Sequence, residues 1–221
     1  MNLPNQLFPV FAVWASFILA LFVVGDAVRH APWKRLRNSQ QQHVWLGFCV
    51  FLVALWLMKA GVRAGLNLHI LGATLFTLLF GRRLAVIGMT LVLAGMTFNG
   101  HGGWESFALN FLFMVAWPTW VAQRILVASE RYLPPHLFVY IFANGFFGSA
   151  VTVFSTGLVL NLSLALLDVY PADYLFSEYL PFFFLLAWSE AFLSGLLLTV
   201  MVVYRPHWVG SFDDRRYLRR R

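Results

Sequence analysis

Seven runs of apolar residues, each bounded by charges or by Gly and Pro, divide this chain. They extend approximately from Gln6 to Val28, Val44 to Met58, Leu66 to Gly81, Leu84 to Phe98, Trp104 to Val127, His136 to Leu166 and Pro181 to Tyr204. A bilayer core of about 30 Å needs roughly 20 mostly apolar residues per crossing helix, so the pattern predicts an all-α, polytopic membrane helix bundle of about seven transmembrane helices. The second, third and fourth runs are short, which predicts tilt, partial re-entry or burial among their neighbours. Nothing else is large enough for a soluble domain, so residues 1–221 are expected to form a single integral membrane domain.

Composition agrees with this picture. The 221 residues are 60% hydrophobic and 11% charged, against roughly 25% charged in a soluble domain. Twenty-three Phe and nine Trp exceed what a limited interior can bury, so part of the apolar surface must face lipid. The single Cys49 excludes an internal disulfide and every cysteine-rich zinc or iron–sulfur site. The net charge of +7 follows membrane topology and implies no nucleic-acid partner. With the amino terminus outside, 14 of the 16 basic residues fall on the inner face, and only Lys59 and Arg63 fall outside. By the positive-inside rule the expected orientation is N-out and C-in. The first run lacks a charged leading region and a cleavage site, so it is expected to remain as a helix with Met1, Asn2, Leu3, Pro4 and Asn5 on the outer face. No Gly-rich Lys-Ser/Thr phosphate loop occurs, so energy from ATP would have to come from another subunit. No Ser/His or Glu/His catalytic spacing occurs within a helix, and an enzyme is not expected.

Ionisable residues in membrane segments are functional candidates, because charge is costly in hydrocarbon. His69 opens the third run on the outer side, and a neutral imidazole there is a ligand for nickel, cobalt, copper or zinc, or else a helix cap bonded to a carbonyl. On the same side, Asn99-Gly100-His101-Gly102-Gly103 reads either as a re-entrant turn offering a second imidazole or as a plain turn. Asn110, seven residues beyond Gly103, and Glu190, near the middle of the seventh run, should face the bundle. Glu190 reads as an interhelical hydrogen-bonding acid or as a group orienting a ligand, and Ser189, Ala191, Ser194 and Gly195 around it suit close helix packing. Asp168, Asp173 and Glu178 crowd an outer loop that either concentrates cations or is simply solvated, and Lys59 and Arg63 snorkel or pair with it. The tail Arg215-Arg216-Tyr217-Leu218-Arg219-Arg220-Arg221 reads as an anchor on anionic headgroups, or as a docking segment for a partner subunit.

Four blocks in this order resemble the substrate-binding membrane component of cobalt and nickel energy-coupling factor transporters, the CbiM/NikM type. Met1-Asn2-Leu3-Pro4-Asn5 is similar to the family opening Met-His-Ile-Pro-Asp, and His69-Ile70-Leu71-Gly72-Ala73 to His-Leu-Leu-Gly-Ala. Gly100-His101-Gly102-Gly103 with Asn110 resembles a Gly-Asp-Gly-Gly turn followed by Asn, and Ser189 to Leu196 resembles the family's last helix. The resemblance implies a transported divalent metal ion, nickel, cobalt or copper, as substrate, and no tightly bound cofactor. Its ligands would be the Met1 amine, the amide of residue 2 and His69. Position 2 is Asn2 where the family has a His, so the fourth ligand would be an open position, an Asn2 oxygen or His101, with Asn110 and Glu190 in support. The stretch from Gly61 to Leu68 also departs from the family's Pro-Gly-Gly-Thr-Ser-Gly segment. A coupling membrane subunit, ATPase subunits, membrane lipid and a bacterial inner-membrane location are implied as well. Two other readings stay open: a non-transporting assembly or sensor protein on the same bundle, and a carrier of an organic or anionic solute countered by Lys59 and Arg63.

Overall fold

The computed structural model describes residues 3–5, 7–63 and 66–218, and for Arg63 the backbone alone. Its long helices are α1 (Val10–His30), α3 (Ser39–Leu57), α5 (Arg82–Phe98), α6 (Phe107–Tyr132), α7 (Leu137–Leu166) and α8 (Ala172–Tyr204). Short helices α2 (Trp33–Leu36), α4 (Ala73–Phe80) and α9 (Asp214–Tyr217) complete the set among the described residues. The all-helical membrane bundle expected from the apolar runs is present, and five helices, α1, α3, α6, α7 and α8, are long and apolar enough to cross a membrane. Outward faces are greasy, as at Phe11, Trp14, Ile18 and Phe22 of α1, all well exposed. The first expected run starts at Gln6, which lies outside the described residues, and its helix begins at Val10 behind Pro9. Asn38 sets the start of α3 by accepting from the backbone N–H groups of Gln40 and Gln41.

The third run is where sequence periodicity and structure part. Instead of one helix from Leu66 to Gly81, the chain forms an antiparallel hairpin of β1 (Ala60–Arg63) and β2 (Leu66–Leu68), then a non-helical stretch from His69 to Gly72, then α4. Gly72 takes φ +68°, and Leu52 occupies the space where a Cβ would sit. The left-handed turn there prevents the helix from extending back to His69. An eight-residue helix rises about 12 Å, and all eight residues of α4 are buried among α5, α6, α7 and α8.

Both ends of α4 are satisfied from the last third of the chain. Near its amino end the Glu190 carboxylate of α8 accepts from Leu71 N–H at 2.7 Å and Gly72 N–H at 2.6 Å. At its carboxyl end Gly210 N–H donates to Leu79 O at 2.8 Å, and Ser211 N–H donates to Leu78 O at 3.1 Å. With no water in the hydrocarbon, these partners are what allow a broken helix inside the bundle.

The long helices α6, α7 and α8 each contain a wide π-helical turn, at Leu112–Ala116, Ile141–Phe147 and Leu175–Tyr179. Pro118 and Pro181, which lack the N–H for the regular ladder, follow two of them directly. In the turn of α7, Asn144 returns its side-chain N–H to Tyr140 O and its Oδ1 accepts from Ser129, tying α7 to α6.

Gly72→Ala should lower the thermal unfolding midpoint of the solubilised protein. The left-handed backbone costs a non-glycine residue roughly 1–2 kcal/mol, and Leu52 must also move. An unchanged midpoint would show that the turn is not under this constraint.

Candidate metal-capture site

His69 leaves the hairpin and is buried. Its Nδ1 lies 3.1 Å from Ile70 O, so Nδ1 carries the proton and Nε2 carries the lone pair. Nε2 is buried and has no hydrogen-bond partner among the described residues. Away from water the ring stays neutral, because desolvation penalises the charged form. Trp56 holds the segment from the side: its ring centroid is 5.1 Å from that of His69, and its Nε1–H donates to Leu71 O at 3.2 Å. Tyr179 donates to Asn67 O at 3.4 Å from α8. The result is a fixed, neutral imidazole with a free nitrogen, the state in which histidine ligates a metal.

The second component is the amino-terminal segment. Leu3 is buried and forms two hydrogen bonds with Asn110: Leu3 N–H donates to Oδ1 at 2.8 Å, and Nδ2 donates to Leu3 O at 3.2 Å. Ser106 Oγ donates to Pro4 O, and Glu105 N–H donates to Asn5 Oδ1 at 3.2 Å. Gly103 is glycine for steric reasons, since Asn5 fills the place of its Cβ. The glycine loop thus lies against the amino-terminal segment. Met1 and Asn2, the other proposed ligands, lie outside the described residues.

The remaining candidates sort by place. His101 Nδ1 lies 3.3 Å from Lys59 Nζ at the exposed rim, which pairs this histidine with a lysine. Glu190 supports the His69 segment through Leu71 and Gly72. Asp168 turns the chain after α7 with φ +50°, and no group of three His, Cys, Asp or Glu side chains able to hold a metal occurs among the described residues. In the basic tail, Arg216 pairs with Glu130 at 3.6 Å and donates to its carbonyl at 2.7 Å, while Arg219, Arg220 and Arg221 lie outside the described residues. Sequence reasoning did not single out Trp56 or Ser106. Trp56 sits in an apolar run that marks it only as core, whereas Ser106, between the glycine turn and Asn110, offered a polar signal at the right place.

Asn110→Ala should leave the Leu3 N–H and C=O unpaired inside the bundle, at about 1–3 kcal/mol for each unsatisfied group. Hydrogen exchange at the Leu3 amide should accelerate accordingly. An unaltered exchange rate would mean that Asn110 does not seat the segment.

The model of the cobalt uptake substrate-specific transmembrane region, CbiM, matches residues 2–208. Two solved structures share the fold. One, described as a transition metal transporter, is 16% identical with a TM-score of 0.76, over 91% of this chain and 92% of that one. The other, a truncated transition metal transporter, is 16% identical with a TM-score of 0.77, over 92% of this chain and 99% of that one. No curated protein matches the chain. The chain belongs to the CbiM family of cobalt-uptake transmembrane regions and is a membrane protein of transition-metal uptake, not an enzyme.

Proposed function

We propose that this protein captures a divalent transition-metal ion, nickel, cobalt or copper, at the outer end of the bundle, as the substrate-binding component of an energy-coupling factor transporter. The observation that carries the reading is the buried Nε2 of His69, without a hydrogen-bond partner among the described residues, in a bundle whose amino-terminal segment is fastened by Asn110. A metal bound there would take nitrogen from His69, from the Met1 amine and from the Asn2 amide. Nitrogen sets of this kind suit late first-row divalent ions. Asn2 supplies no imidazole, so its side-chain oxygen or His101 is the candidate for the remaining position. Lys59 donating to Nδ1 of His101 places the proton on Nε2, so His101 has to release Lys59 before it ligates. Asn110 and Glu190 are positioning residues in this scheme, and the ion is cargo rather than a resident cofactor.

Seven crossings with the amino terminus outside, in a bacterial inner membrane, complete the proposal. They are supported by the distribution of Lys and Arg and by α4 and α5 meeting at Gly81, next to the basic pair Arg82-Arg83. Release inward would depend on a coupling membrane subunit and ATPase subunits. The Arg29 to Arg37 loop and the basic tail are the proposed contacts.

Elemental analysis of the purified chain equilibrated with Ni(II), Co(II), Cu(II) or Zn(II) should find about one ion per chain for a matched metal, lost in His69→Ala. A lower affinity in His101→Ala would assign it the fourth position. No metal above background, with the Met1 amine verified free, would favour the non-transporting or organic-solute reading.

Orientation is checked in a Cys49→Ser background. A membrane-impermeant thiol reagent should label His101→Cys in intact cells and Arg215→Cys only after permeabilisation. The reverse pattern would invert the topology.

A further inference from the structure

Between α1, α6 and α7 the membrane-facing surface opens into an elongated groove of about 550 Å³. Small side chains of α1, Ala12, Ala15 and Ser16, give it depth, and Leu112, Trp117 and Val159 form the facing walls. It extends from Ala12 to Val23 on α1, about 16 Å along a helix, long enough to hold an acyl chain.

The groove is mostly apolar, the hydroxyls of Ser16 and Ser163 being turned to carbonyls of their own helices, and its charge is confined to one end. There it reaches Arg82, the first residue of α5, whose Nε is buried without a hydrogen-bond acceptor. Among the described residues Arg82 forms no ion pair. The neighbouring carboxylate, Asp26, is shared by His30 at 2.9 Å and Arg83 at 3.8 Å. Arg83 and Arg124 both repel the Arg82 charge, and Asp26 attracts it. Arg124 itself lies over the Trp120 ring, 5.3 Å from the centroid, and Trp120 packs against Trp117 with centroids 5.4 Å apart. Arg82, Arg83 and Arg124 thus cluster around a single carboxylate-bearing neighbour, Asp26, at one end of the slot, and Trp120, one of its walls, carries Arg124 on its ring.

An unpaired cation at the edge of hydrocarbon calls for an anion, and the slot beneath it calls for a hydrocarbon tail. A soluble anion meets the first need alone, and a zwitterionic lipid brings its own ammonium to a site that already has excess positive charge. We infer that this groove binds an anionic phospholipid, with an acyl chain along Ala12 to Val23 and the phosphate on Arg82 and Arg124. In the orientation proposed above, the lipid comes from the inner leaflet. The lipid site does not depend on the metal reading, and its variants leave His69 and Asn110 intact.

Native mass spectrometry of the full chain in detergent tests this with phosphatidylglycerol and phosphatidylcholine of matched chains. The protein should retain phosphatidylglycerol in preference. Arg82→Gln and Arg124→Gln should each weaken that retention by about fivefold, while metal binding is unchanged. Ala15→Trp, which fills the slot without touching the charges, should also release the lipid, so the test does not hang on the arginine variants folding. Equal retention of the two lipids, or phosphatidylglycerol retention unchanged in Ala15→Trp, would overturn the inference. Displacement of the lipid by inorganic phosphate alone would overturn it too, by reducing the site to a guanidinium cluster.

Discussion

A carboxylate in the middle of a membrane helix holds this structure together. Glu190 accepts from two successive backbone N–H groups, those of Leu71 and Gly72, at a depth where water is not available to replace it. The two backbone N–H donors, one on each carboxyl oxygen, offset part of the cost of burying this group. The same bonds fix a stretch of chain that is neither helix nor strand. His69 stands two residues before Leu71, so the direction of its free nitrogen is set by a residue far away in sequence. Among the described residues, His69 and Glu190 are the only members of the His, Asp, Glu, Lys and Arg set that are buried. One presents a lone pair, and the other holds the backbone that aims it.

The end of the bundle that receives the amino-terminal segment repeats this logic with neutral groups. The Asn110 amide supplies an acceptor and a donor to Leu3, as a neighbouring strand would, so the amino-terminal segment enters the bundle without leaving its backbone unpaired. Ser106 and Glu105 extend the seat, and Gly103 clears the space for Asn5. Two irregular segments, one from the chain start and one from the hairpin, are thereby held rigidly by side chains on regular helices. Groups already held in position lose little freedom on binding a ligand.

At the opposite end, the groups that receive α4 also organise the basic residues. Gly210 and Ser211 satisfy the last carbonyls of α4, Tyr140 bonds Ser211 at 2.6 Å, and Arg35 lies over Phe80 while donating to Trp208 O. Arg216 is taken up by Glu130. Arg82 is different, having no such partner among the described residues, and it stands at the end of a mostly apolar groove. Basic residues at this face therefore divide into those that pin the helix ends and those, like Arg82, that have no ion-pair partner among the described residues.

The sequence by itself determined the membrane class, the all-helical architecture, the likeness to a metal-uptake family and the identity of His69, Asn110 and Glu190 as residues needing an explanation. These follow from quantities local to the chain: the length of apolar runs, the cost of an ionisable group within them, and ordered short motifs. It did not determine that the third run breaks into a hairpin, a turn and an eight-residue helix, because hydropathy averages over a window and Gly72 carries its left-handed geometry silently. Nor could it tell which backbone Glu190 answers, that Asn110 grips Leu3, or that His101 stands beside Lys59. Those pairings join residues 42 to 119 positions apart. Only the packing of α4 inside its neighbours decides them, since a buried polar group must find whatever partner the fold brings within reach.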